Sequence, residues 1–212
     1  MMVDYDEVGK RPVLLVPGGK IDLEGEICIS SSDLVGVGQA LAHIYRFTGR
    51  SYYTVAQHCC QVAQALWLES GGDKKLALAG LLHDAAEAYV GDILRPIKAV
   101  LGSEACRRLA DLERRIGIQI LKACEVPEHL LVHPKLKEAD LRAAIFEVEA
   151  CRLGDEEVRE EFRSMGLPEL PAVLREHDYP WEPAEAAAKW TAARYNLMDA
   201  ELRSTALLWE SS

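Results

Sequence analysis

Residues 81–92 read Leu-Leu-His-Asp-Ala-Ala-Glu-Ala-Tyr-Val-Gly-Asp. The stretch sets the adjacent pair His83-Asp84 in an apolar run, with Glu87 one turn later and Asp92 just past Gly91. His, Asp and Glu are costly to bury unless they are paired or bound to a metal, so this run needs partners. Read as one helix from about Leu76 to Tyr89, it carries His83 and Glu87 on one face, about 6 Å apart at Cβ. Asp84 is rotated from His83 by roughly 100°. These groups reach a common cation only if other helices close the sphere. Two candidates exist: His58, inside the preceding apolar helix, and Asp140, which interrupts the apolar face Leu136–Ala143. Two imidazoles and two carboxylates form an N₂O₂ set suited to one Zn²⁺, Mn²⁺, Co²⁺ or Fe²⁺, and the imidazoles argue against Mg²⁺ or Ca²⁺. Each residue alone has a plainer role, His58 as a core histidine and Asp140 as a surface or capping carboxylate. The chain supplies its own control: His177-Asp178 is a second such pair, in a loop before Pro180, and is read as a turn.

The elements that must position these groups are helical. Ser32 or Asp33 caps a helix with apolar positions Leu34, Val37, Leu41 and Ile44, ending near Gly49. Thr54 and Gln57 have capping-box spacing and open the helix of His58, whose stripe is Val55, Cys59, Val62, Ala63 and Leu66. Asp73 opens the central helix; Gly91 closes it and Pro96 forbids its continuation. A long helix from about Ser103 to Cys124 stops at Pro127. Pro134 starts the helix of Asp140, which runs to Gly154. A short amphipathic piece from Asp155 to Met165 and a proline-punctuated loop lead to a last helix, about Ala184 to Leu208. The one β signal is Val13–Val16, Pro17-Gly18-Gly19 and Lys20–Leu23, a hairpin or extended arm. Strands and helices do not alternate, which excludes a doubly wound sheet. The expectation is one all-α bundle of six or seven helices at 32–212, with residues 1–31 as an arm of the same domain.

Composition narrows the function. A chain of 212 residues with 49% hydrophobic and 27% charged content is an ordinary globular protein. No apolar run spans a bilayer, and the acidic N-terminus lacks the features of a signal peptide, so a cytoplasmic location is expected. A net charge of −10 disfavours a binder of nucleic-acid polymer or of a membrane surface, but not a small anion held by local cations. The six cysteines show no CxxC spacing and are read as free thiols.

The order His58 … His83-Asp84 … Asp140 resembles the HD-domain metal phosphohydrolases. The surroundings are similar to one branch, the 5′-deoxynucleotidase-like proteins common in bacteria and phages. They are Ile44-Tyr45-Arg46-Phe47-Thr48-Gly49-Arg50, Tyr53-Thr54-Val55-Ala56-Gln57-His58, residues 81–93, Arg95-Pro96-Ile97-Lys98, Glu138–Ala143 and Pro180-Trp181-Glu182-Pro183-Ala184-Glu185. The likeness runs from about Ser32 to the C-terminus. Gln57 stands where related enzymes often have Glu.

The resemblance implies an HD-type helical bundle with His58, His83, Asp84 and Asp140 as metal ligands. Glu87 and Asp92 would flank the attacked phosphorus as acid/base or water-positioning groups, and Arg46 would hold the phosphate. Lys98, just after the motif loop, is added as a second phosphate-binding cation. Phe47 either stacks on a base or packs in the core, while Arg50 and Arg95 either meet further phosphates or lie in solvent. The expected activity is metal-dependent hydrolysis of (deoxy)nucleoside 5′-phosphates, water attacking the α-phosphorus. A 5′-deoxynucleotidase on monophosphates leads, ahead of a triphosphohydrolase that releases triphosphate from deoxynucleoside triphosphates. A non-catalytic nucleotide-binding protein of the same fold and an HD hydrolase of another substrate are the remaining alternatives. Related proteins assemble, so a homo-oligomer is expected.

Overall fold

The structure, a computed structural model, describes residues 13–16, 19–176, 179–199 and 207–209; for 13–20, Arg95 and Glu176 no side chain is described. The expected turns at Pro17-Gly18 and at His177-Asp178 lie outside the described residues. The architecture is all-α. Strands β1 (Val13–Val16) and β2 (Gly19–Asp22) pair antiparallel, Leu14 opposite Ile21, as the N-terminal arm. The helices follow in order: α1 (Leu34–Ala42), α2 (Arg46–Gly49), α3 (Val55–Glu69), α4 (Lys74–Leu82), α5 (Glu87–Val90), α6 (Arg95–Val100) and α7 (Ser103–Ala123). After a 3₁₀ turn, Glu128–Val132, come α8 (Pro134–Ala150), α9 (Glu156–Ser164), α10 (Ala172–Glu176) and α11 (Pro183–Met198).

Helix α3 is the axis. Every residue from Val55 to Trp67 is buried, and α1, α4, α8 and α11 pack around it. Its start is capped as the spacing predicts, Thr54 Oγ1 accepting from the Gln57 N–H at 3.2 Å. A helix buried all round must satisfy its polar side chains internally. Gln57 does so by donating to the Tyr179 carbonyl and accepting from the Trp181 N–H, both at 2.9 Å. The Gln64 carbonyl accepts from the Leu208 N–H at 2.7 Å. The C-terminal chain is thereby strapped along α3, with Trp181 and Trp209 edge to face at 5.0 Å. On α8, Arg142 is 5% exposed and forks onto Glu69 at 2.9 and 2.8 Å, which locks α8 against the end of α3.

The largest departures from the sequence expectation are at three helix ends. The first helix stops at Ala42 rather than near Gly49, because Tyr45 is extended and bridges to Thr54. The motif helix stops at Leu82 rather than Tyr89: the His83 Nδ1–H donates to the Gly80 carbonyl at 2.7 Å, the acceptor that the Asp84 N–H would use in an α-helix. The chain then tightens, Ala85 N–H bonding Leu82 O at 3.1 Å and Glu87 N–H bonding Asp84 O at 2.9 Å. The last helix ends at Met198, and the buried Leu208 sits in a separate turn.

Helices α3 and α4 approach closely at Gly80. A Cβ there would lie 2.6 Å from Leu66 Cδ1 and 3.3 Å from the Ala63 Cα. The Leu66 methyl can turn away, but the Ala63 backbone cannot. Gly80→Ala is therefore expected to push α4 off α3 and destabilise by about 1–3 kcal/mol in urea unfolding. A variant as stable as the wild type would show that this approach is not tight.

Candidate metal centre

Arg46 reaches α3 through the backbone. Its N–H donates to the Tyr53 carbonyl at 2.9 Å, and the Val55 N–H bonds Ile44 O at 2.9 Å, so the chain before α2 is stitched to the chain entering α3. Phe47 and Thr48 then hold left-handed backbone, at φ 55° and 56°. That conformation costs a non-glycine residue of order 1–3 kcal/mol and persists only where its surroundings enforce it. It turns the Phe47 ring to 5.5 Å from the Arg46 guanidinium carbon. Phe47 is half-buried beside that cation rather than part of the α1 core.

Four side chains from three elements converge. The Nε2 of His58 on α3 lies 3.1 Å from Asp140 Oδ1 on α8 and 3.9 Å from Asp84 Oδ2. The Nε2 of His83 lies 3.1 Å from Asp84 Oδ2 and 3.7 Å from Asp140 Oδ1. Nitrogens and oxygens thus alternate around a ring, and within it the ligand atoms of His58, His83 and Asp140 all lie within 4.8 Å of one another. His58 is fully buried and the His83 side chain is 8% exposed, whereas Asp84 and Asp140 keep 23% and 29% of theirs open. The ring is closed on its imidazole side and open on its carboxylate side.

The imidazoles are held by their other nitrogens. His58 Nδ1–H donates to Glu147 Oε1 at 2.8 Å, and His83 Nδ1–H to the Gly80 carbonyl. Such anchoring leaves the Nε2 lone pairs of the neutral rings directed at the carboxylates, the usual arrangement for metal-bound histidine. His83 Nε2 is buried with no hydrogen bond of good geometry, as are Glu87 Oε2 and Asp92 Oδ2. Buried polar atoms of this kind call for a partner.

Glu147 is the member that sequence reasoning missed. It is wholly buried, and its Oε2 accepts from Arg46 Nε–H at 3.0 Å while its Oε1 takes His58. Arg46 Nη1 lies 3.5 Å from Asp84 Oδ2. The available signal was position: Glu147 lies two turns after Asp140, on the same face of α8.

Charge tests the fit to a cation. Asp84, Asp140 and Glu147 bring three negative charges against one on Arg46, and a divalent ion or two imidazolium protons would balance them. Without a metal the cluster favours such protons. Burial disfavours them, yet Asp84, Asp140 and Glu147 raise the pKa of His58 and His83 above the ordinary imidazole range. Burial likewise opposes ionisation of the carboxylates, but the imidazoles and Arg46 hold Asp84 at about 2, and Asp140 and Glu147 below their ordinary values. Cys59 Sγ forms a second triad with His83 and Asp84, all ligand atoms lying within 4.8 Å of one another. Burial pushes that thiol up, away from the thiolate that would bind a metal.

The remaining expected residues divide. Glu87 and Asp92 both lie within electrostatic reach of Asp84 and Arg46; burial, then neighbouring carboxylates, raise Glu87 to about 9, and burial raises Asp92 as well. Lys98 is not drawn into the ring, its Nζ donating to Glu113 Oε1 at 2.9 Å, although its charge reaches Asp92. Arg50 is exposed and donates to Thr48 Oγ1. The side chain of Arg95 lies outside the described residues.

No family model matches the chain. An uncharacterized protein of Rhodobacter capsulatus is 28% identical over 174 residues, 78% of this chain and 85% of that protein. The uncharacterized protein YfdR of Escherichia coli K12 is 35% identical over 77 residues, 34% of this chain and 40% of that protein. Among the described residues no helix is long and apolar enough to cross a membrane.

The Glu87 carboxyl gives a pH test. Between its ordinary value of 4.5 and about 9 the folded state keeps a proton that the unfolded state has lost. Stability therefore falls as pH rises through that window. The raised imidazoles act with the same sign. Chelator-treated protein is expected to melt several degrees lower at pH 8.5 than at pH 5.5, and Glu87→Gln to reduce that drop. Equal slopes in thermal melts of the two proteins would contradict the buried, protonated Glu87.

Proposed function

We propose that the protein is a divalent-metal-dependent phosphohydrolase of nucleoside 5′-phosphates, with deoxynucleoside monophosphates as the leading substrates. The observation that carries the reading is the ring of His58, His83, Asp84 and Asp140 donors with the Arg46 guanidinium beside one of its oxygens. A cation site and a phosphate clamp then share one place. The four ring residues would hold the metal. A divalent cation bound there supplies Lewis-acid polarisation of a phosphoryl oxygen and lowers the pKa of a coordinated water.

The chain's own groups supply the rest. Arg46 commits its Nε to Glu147, so its two Nη groups form a fork for phosphate oxygens, and the 3.5 Å contact with Asp84 is loose enough to exchange. Glu87, next to the ring and with one buried oxygen unpartnered, is able to orient water or pass a proton. Asp92, with one buried oxygen unpartnered, is the candidate to protonate the leaving oxygen or to bind a sugar hydroxyl. The nucleoside part of the proposal is supported by the sequence resemblance of residues 44–58, 81–98 and 138–143. Among the described residues Lys98 is paired with Glu113, which leaves one candidate cation fewer for the extra phosphates of a triphosphate.

The test is product analysis of the full chain with a panel of nucleoside 5′-mono- and triphosphates, with Mn²⁺ or Co²⁺ present. Release of orthophosphate from a deoxynucleoside monophosphate is expected, and release of triphosphate would move the assignment to the alternative. Asp84→Ala is expected to abolish turnover, and Glu87→Gln to lower kcat by roughly 10²–10⁴-fold. Failure to turn over either substrate class with either metal would overturn the proposal.

A further inference from the structure

We infer that Glu147 is a positioning residue that links the cation ring to the phosphate clamp, so that each fixes the other through one carboxylate. The inference rests on the proposed metal site. Its basis is that the two oxygens of a single buried carboxylate are divided between two functional groups. Oε1 accepts from His58 Nδ1–H at 2.8 Å and Oε2 from Arg46 Nε–H at 3.0 Å. Glu147 is fully buried, so no solvent molecule competes for either position. It is on α8, as is Asp140, while His58 is on α3 and Arg46 on the stitched segment before it. One side chain therefore sets the angle of a ligand ring and the plane of the guanidinium together.

The donor inventory makes the arrangement directional. Arg46 has donors only, so Oε2 must accept. The neutral His58 ring serves a cation through Nε2 only while Nδ1 carries its proton, and Oε1 holds that tautomer. A glutamine of the same shape cannot satisfy both partners. If its oxygen faces Arg46, its amide faces His58 and demands an acceptor at Nδ1, which moves the ring proton to Nε2 and blocks the ligand. If its oxygen faces His58, two donors meet at Arg46 and the clamp is released. Because binding free energies are reciprocal, a phosphate that orders Arg46 also orders His58 through Glu147, and so tightens the cation.

The test is Co²⁺ titration of the full chain, followed by the visible absorption of the metal, with and without orthophosphate as the probe. Thermal melts accompany each variant. In the wild type, orthophosphate is expected to tighten Co²⁺ roughly fivefold or more. Arg46→Gln is expected to lose most of the tightening. Glu147→Gln is expected to lose as much of the tightening and also to weaken Co²⁺ alone by roughly 10- to 100-fold. A merely structural role would not move the His58 tautomer, so ¹⁵N NMR of the metal-free Glu147→Gln protein, at a pH high enough for the imidazoles to be neutral, is the second readout, with a shift of the proton toward Nε2 expected. Should Glu147→Gln fail to fold, Glu147→Asp keeps the charge but is one methylene too short for both partners, and it is expected to lose at least one of the two effects. A folded Glu147 variant with wild-type Co²⁺ affinity and wild-type tightening overturns the linkage while leaving the metal site standing. A wild type that takes up no Co²⁺ overturns the metal site, and the linkage with it.

Discussion

A fully buried imidazole between two carboxylates is the constraint on which the rest of the structure depends. His58 lies on a helix with no solvent face, and neither its ring nor Glu147 is tolerable there without the other. Their pairing draws in Arg46 through the second Glu147 oxygen, and Arg46 draws in Asp84. Asp140 closes the other side of His58. The result is a cluster whose negative charge exceeds its positive charge by two unless imidazoles are protonated or a divalent cation is bound. That imbalance, rather than any single residue, is the physical argument for a metal.

The scaffold is built to keep the cluster from relaxing. Gly80 brings α4 against α3 and offers the carbonyl that anchors His83, so a single glycine sets both the helix spacing and a ring orientation. On α8, Arg142 binds Glu69 and the carbonyl of Pro168, fixing the helix that carries Asp140 and Glu147. From the opposite side the strap of Tyr179, Trp181 and Leu208 is hydrogen-bonded to glutamines of α3. Lys189, over the Trp181 ring at 4.2 Å and paired with Glu185 at 2.9 Å, holds the aromatic end of that strap. Rigid second contacts of this kind are what a site needs to hold its donors near a productive geometry.

Much of the site was legible because polar residues in apolar helical runs stand out. His58, His83, Asp84 and Asp140 were visible on that basis, and the helices that carry them were visible from spacing, caps and prolines. Glu147 was not, since Glu147-Val148-Glu149 reads like a solvent-facing segment, and only its two-turn offset from Asp140 marks it. The break after Leu82 was hidden as well, because it arises from competition between the His83 side chain and a backbone N–H for one carbonyl. Gly49 suggested a helix end, yet the turn is made just before it by left-handed Phe47 and Thr48, which no propensity favours. Lys98 looked like a phosphate ligand by its place after the motif, but its position could not reveal the acid, Glu113, that holds it on the next helix.

The central claim is that these nitrogens and oxygens are the inner shell of one cation. X-ray absorption at the zinc edge of the Zn²⁺-loaded protein reads that shell directly, and the neighbouring Cys59 makes the outcome sharp. The account predicts one zinc per chain with two imidazoles and further oxygen donors at about 2.0–2.2 Å, and no sulfur. A sulfur scatterer at about 2.3 Å, or a protein that retains no zinc, would contradict it.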